Sequence, residues 1–156
     1  AANPMLNAHS FLSLARHVGY PVAMEGALKL KEIAYTFTEG FAAGEPKHGP
    51  IALVDEGEPV VVIVPSARGR DTLHNKVISG IEEVKARGAY TIAVAEEGDP
   101  DAERYADIVF WRPACPTLLS PLVDVVPLQL FAMDMANLKG YDVDKPRNLA
   151  KSVTVE

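Results

Sequence analysis

Two kinds of apolar pattern alternate along the chain. "SFLSLAR" (Ser10–Arg16), "PVVVIVPS" (Pro59–Ser66), "AYTIAVAE" (Ala89–Glu96) and "DIVFW" (Asp107–Trp111) are short apolar runs, most of them β-branched. Such runs suit strands buried on both faces of a parallel sheet. Between them the apolar positions recur at helical spacing. In "RDTLHNKVISGIEEVKARG" (Arg70–Gly88), Leu73, Val77, Ile81 and Val84 share a face, and Gly88 closes the helix. "SPLVDVVPLQLFAMDMANLKG" (Ser120–Gly140) predicts a long apolar helix bent near Pro127. "EGDPDAERYA" predicts a loop with a short acidic helix. "TEGFAAGEPKHGPIALVDEGEP" (Thr38–Pro59) is rich in Gly and Pro and predicts a loop, a short helix and a second loop.

A further helix opens at Tyr20-Pro21, where proline suits a first turn, and is expected to run to Phe37. Its charged residues are unusual. Glu25, Lys29, Glu32 and Thr36 fall on one narrow stripe. Ala23, Ala27, Leu30, Ile33, Ala34 and Phe37 lie opposite, while Met24, Leu28 and Tyr35 cover a second flank. A solvated face is usually wider and more mixed. The ordinary reading is a pair of helix-surface ion pairs, Glu25–Lys29 and Lys29–Glu32. The alternative is a carboxylate and an ammonium in a partly desolvated cleft, where Glu32 could take a proton from a C–H beside a carbonyl.

The order of elements predicts one domain over residues 1–156. The expected fold is α/β, a doubly wound parallel sheet sandwiched by helices, with a polar tail over about 141–156. In such folds ligands collect beyond the carboxyl ends of the strands.

Composition narrows the function classes. Of 156 residues, 48% are hydrophobic, enough for a core. The net charge of -6 disfavours a nucleic-acid partner, which needs a basic face. "AANPMLNAHS" shows no signal peptide, and "VVVIVP" is too short to span a bilayer, so no membrane partner and a cytoplasmic location are expected. The one cysteine, Cys115, forms no intrachain disulfide and reads as a small apolar filler. His9, His17 and His74 share no metal-ligand spacing with one another or with Cys115, so no metal and no cofactor are expected. His48, in "EPKHGP", sits on a turn, either as an exposed loop residue or as a proton shuttle. In "PRNLAKS", Arg147 and Lys151 stand four apart in an otherwise acidic protein. A lysine held over a pocket could attract an anion or attack a carbonyl. "PSARGRDT" lacks a glycine-rich phosphate cradle and reads as an exposed loop.

Three stretches together resemble one family. "GYPVAMEGALKLKEIAY", "AAGEPKHGPIALVD" and "YDVDKPRNLAKSVTVE" are similar to the carboxy-terminal part of glutamine–fructose-6-phosphate aminotransferases (isomerizing). The resemblance runs from about Ser10 to Glu156, and the tail motif is its most specific part. It implies a flavodoxin-like sugar isomerase (SIS) domain, the second of two in the family's chains. A glutaminase domain and a first SIS domain would be the missing partners within the same chain. A sugar phosphate, fructose 6-phosphate or glucosamine 6-phosphate, would be the ligand, and a homodimer is expected.

The resemblance implies roles for named residues. Glu32 would move the proton between C1 and C2, and Lys29 would stand beside it. His48 would assist ring opening in the site of a neighbouring subunit. Lys151 would contact the open-chain sugar, and Ala150 would offer backbone contact. The alternatives are a freestanding SIS sugar-phosphate isomerase or a non-catalytic sugar-phosphate sensor. One stretch departs from the pattern: "ARH" (Ala15–His17) stands where many relatives have Gly-Arg-Gly, and the lost glycine removes backbone freedom from that turn.

Overall fold

The fold is built from five strands joined by four crossovers, in a computed structural model that describes residues 4–68 and 71–149. The strands are β1 (Ser10–Ala15), β2 (Phe37–Ala42), β3 (Pro59–Ile63), β4 (Tyr90–Glu96) and β5 (Ile108–Arg112). The helices are α1 (Gly19–Ile33), α2 (Asp71–Lys85), α3 (Pro100–Tyr105) and α4 (Ser120–Leu138). All strands run parallel in the order β2-β1-β3-β4-β5. Parallel neighbours need long connections, and the helices supply most of them.

Alternation along the strands sorts the core into two layers. Phe11, Val61, Ile63, Ile92 and Val94 face α1 and α4, where they meet Val22, Ala23, Leu30, Leu128, Ala132 and Met135. Leu12, Leu14, Val60, Val62, Ala93 and Ala95 face α2 and α3, against Val77, Ile78, Ile81, Val84 and Ala102. Burying each such side chain is worth about 1.5–3 kcal/mol. Small residues let α1 and α4 approach closely. A Cβ on Gly26 would come within 2.7 Å of Leu128 Cδ1, so only glycine fits without a shift.

Two expectations are corrected here. The stretch after α1 is not a loop at its start, because Phe37–Ala42 forms β2, the edge strand beside β1. The rest of the Gly/Pro-rich segment follows expectation more closely, with short 3-10 turns at Pro46–His48 and Pro50–Leu53. The first helix ends at Ile33 rather than at Phe37. Tyr35 then takes a left-handed φ of 51°, which turns the chain into β2. Thr36 therefore leaves the charged stripe and is buried, while Phe37 is 63% exposed instead of joining the core.

The turn that departs from the Gly-Arg-Gly pattern keeps the conformation a glycine would favour. His17 has φ 55°, and the carbonyls of Arg16 and His17 accept from the amides of Gly19 and Tyr20. A non-glycine residue pays about 1–2 kcal/mol for that region, partly offset by the entropy glycine loses on folding. His17→Gly is expected to stabilise the domain by about 0.5–1 kcal/mol. A denaturation midpoint that stays put or falls would show that the imidazole makes compensating contacts.

Helix α4 is the long apolar helix expected, and it ends at Leu138. With its leading turn, Thr117–Leu138 has a mean hydropathy of 1.4 and is long and apolar enough to cross a membrane by length and composition. It packs on α1 and the sheet, with Leu128, Ala132, Met135 and Ala136 buried. Its outer side stays bare: Leu122, Val126 and Leu130 are 70%, 47% and 51% exposed.

Candidate active site

Helix α1 carries the predicted stripe, and the expected ion pairs form. Lys29 Nζ lies 2.6 Å from Glu32 Oε2 and 3.3 Å from Glu25 Oε1. The bond to Glu32 is the main reason Lys29 is held above the ordinary lysine range, and Glu25 adds to it against partial burial. Lys29 is therefore a firm ammonium, clamped between two carboxylates. Glu32 keeps its other side open. It lines a wide cavity of about 520 Å³ with Lys31, Tyr35, Thr36, Arg147, Asn148 and Leu149. Arg147, Asn148 and Leu149 of the polar tail thus return to the end of α1 and share this cavity with the glutamate.

The floor of this cavity is held by contacts that sequence reasoning missed. Lys139, at the end of α4, donates from Nζ to Thr36 Oγ1 at 2.5 Å and to the Ala34 carbonyl at 3.3 Å. Burial lowers its pKa below the ordinary lysine value. Tyr35 meets Arg147, which sequence reasoning had noted only as a neighbour of Lys151. The only signal for either contact was a polar residue next to the end of an apolar helix.

His48 lies elsewhere. It closes the 3-10 turn Pro46–His48, is exposed, and does not line the cavity of Glu32. The preceding Lys47 faces a small polar cavity of about 50 Å³ with Arg16, Lys76 and Glu83. Ala150 and Lys151 lie outside the described residues.

Two charged groups stand apart from this site. His74, Asp99 and Asp101 bring possible ligand atoms within 4.8 Å of one another. Asp99 is already engaged: Oδ2 meets His74 Nε2 at 2.8 Å, and Oδ1 accepts from the amides of Asp101 and Ala102. The group works as a cap on α3. The other group lies beyond the carboxyl ends of β4 and β5. Arg112, 2% exposed, has Nε 2.6 Å from Asp124 Oδ1 and Nη1 3.3 Å from Glu96 Oε2. Burial raises the Asp124 pKa above the usual carboxylate value, against the pull of Arg112 and Ser120. The strand expected to end at Trp111 runs one residue further, to this buried arginine.

Comparison with known proteins fits this architecture. Residues 5–139 match the SIS domain family. The chain belongs to that family. It is 65% identical to glutamine–fructose-6-phosphate aminotransferase (isomerizing) of Corynebacterium glutamicum, over 97% of this chain and 24% of that protein. The SIS chain thus spans about a quarter of the length of the curated relatives it matches. Among solved structures, the C-terminal domain of glucosamine-fructose-6-phosphate aminotransferase from Francisella tularensis superposes with a TM-score of 0.80 at 38% identity. That match covers 91% of this chain and 39% of the other. Glucosamine-6-phosphate deaminase from Thermotoga maritima gives 0.72 at 27% identity, over 98% and 42%. The SIS domain described here corresponds to the C-terminal isomerase portion of the aminotransferases.

Proposed function

We propose that this SIS domain supplies the proton-transfer half-site of an aminotransferase that makes glucosamine 6-phosphate from fructose 6-phosphate and glutamine. The observation that carries the reading is Glu32. It lines a cavity that Arg147, Asn148 and Leu149 of the tail also line, while Lys29 holds one carboxylate oxygen at 2.6 Å. A carboxylate held in one orientation beside two adjacent sugar carbons can take a proton from one and return it to the other.

In this reading ammonia first adds to the C2 carbonyl of the open-chain sugar, and water leaves. Glu32 then removes the C1 proton, the electron pair of that bond forms a C1=C2 double bond, and the C2=N π pair moves to nitrogen, which takes up a proton that the C1 hydroxyl later replaces. The same carboxyl returns a proton to C2, and the C1 hydroxyl loses its own as the aldehyde forms. Lys29 holds one Glu32 oxygen in place and steadies the negative charge that develops near C1 and C2. Lys151, with Ala150 beside it, would approach the sugar from the tail, and Arg147 marks where that tail meets the cavity. His48 would serve ring opening in the site of a second copy, which accords with its position away from Glu32.

The partners follow from the same reading. A glutaminase domain and a first SIS domain within a longer chain, and a second copy of that chain, would complete the site. The bare outer side of α4 supports a covering partner of this kind. A cytoplasmic location belongs to this reading as well. The direct test is solvent deuterium exchange into C1 of fructose 6-phosphate, and incorporation at C2 of the aldose product, by the full-length protein, followed by NMR. Exchange at enzymatic rates supports the half-site, and its absence with intact protein would overturn it.

A further inference from the structure

The short turn between α1 and β2 is gripped from two directions. Lys139 bonds Ala34 and Thr36 from the end of α4. Tyr35, between them, adopts φ 51°, a region that bulky residues rarely enter. That conformation places the phenol against the tail. The Tyr35 hydroxyl accepts a hydrogen bond from the Arg147 backbone N–H at 2.8 Å. The Arg147 guanidinium lies 4.0 Å from the centre of the same ring, and the Tyr141 ring packs on it at 4.8 Å.

The segment after α4 has no helix or strand of its own among the described residues. Val143 packs partly on the core. Among the described residues after Tyr141, the hydrogen bond that reaches the body of the domain is the one from Arg147 to Tyr35. Directly after it, Asn148 takes φ 62°, so the chain changes direction at the anchored residue. The Tyr35 side chain therefore holds the tail just before the turn at Asn148, where the tail lines the Glu32 cavity.

We propose that Tyr35 is a positioning residue: it anchors the tail at Arg147 and so fixes Arg147, Asn148 and Leu149 at the edge of the Glu32 cavity. The catalytic consequence rests on the function proposed above, whereas the anchor stands without it. An anchor of one hydrogen bond and one cation–π contact holds a segment firmly but reversibly.

Trypsin reads the anchor directly, because it cuts after Arg147 but not at the neighbouring Lys145–Pro146 bond. With the full-length protein under native conditions, Tyr35→Ala is expected to speed cleavage after Arg147 about tenfold, equivalent to about 1.4 kcal/mol. Tyr35→Phe keeps the ring and is expected to give about threefold, which separates the hydroxyl from any loss of folding. An unchanged rate in both variants overturns the anchor. In steady-state isomerisation, Tyr35→Ala is expected to lower kcat about tenfold with KM within about twofold, and Tyr35→Phe to restore most of it. Faster cleavage with unchanged kcat would overturn the positioning role. A wrong assignment of Glu32 would show separately, as turnover surviving in Glu32→Gln, and would leave the proteolysis result intact.

Discussion

Glu32→Gln is expected to lower isomerisation turnover about a thousandfold, within the range that a positioned acid or base contributes. The amide has nearly the same shape and can still accept from Lys29, so the site keeps its geometry and loses its base. The side chain is 29% exposed, and its pair with Lys29 is a helix-surface pair. Folding should therefore change by no more than about 0.5 kcal/mol. A turnover loss with an unchanged melting temperature would locate the defect in chemistry. Turnover within a few-fold of the unaltered protein would remove Glu32 from the base role, whatever happens to stability. Ammonia release from glutamine, measured in parallel on the full-length protein, controls for damage elsewhere.

Arg112→Ala is expected to be the most destabilising single change, at about 3–5 kcal/mol. The guanidinium is buried against Asp124 and Glu96, and the Asp124 side chain is 3% exposed. Among the described residues, removing it leaves Asp124 with no cation and Glu96 with only the exposed Arg68, 2.9 Å away. Asp124 can escape part of the cost by protonating, since burial already favours its neutral form. The companion Arg112→Met with Asp124→Asn removes the stranded charge and should recover much of the loss. Chemical denaturation at neutral pH measures both. A loss under about 1 kcal/mol for Arg112→Ala would mean that water solvates the carboxylates in place.

The strands most plainly written in the sequence are those buried on both faces. β3 and β4 lie inside the sheet, so nearly every position is apolar and the run is unmistakable. β2 was missed because it is an edge strand. It pairs only with β1, and "FTEGFA" is half-exposed, with Thr38 rather than an aliphatic residue as its buried member. The end of α1 was misplaced because Ala34 and Phe37 continue the helical period by chance. What breaks the helix is the backbone of Tyr35, and a tyrosine carries no sequence signal for positive φ.

The candidate site was legible in a similar, partial way. Neighbours on one helix, such as Lys29 and Glu32, follow from spacing, because residues three or four apart must meet. The contacts of Tyr35 with Arg147, and of Lys139 with Thr36, join positions about a hundred residues apart, and no local period encodes them. Arg112 and Asp124 left a faint trace as charged residues among apolar ones. Only the fold shows that they face each other.

The bare side of α4 bears on how the domain behaves when cut free. Leu122, Val126 and Leu130 present to water the kind of surface that drives molecules to clump. A poor yield of the excised piece, or its loss to precipitate on concentration, would then report on that uncovered side and say nothing against the fold. Trading Leu122, Val126 and Leu130 for glutamate or lysine would improve the yield of the domain by itself while weakening any assembly in which that side is covered.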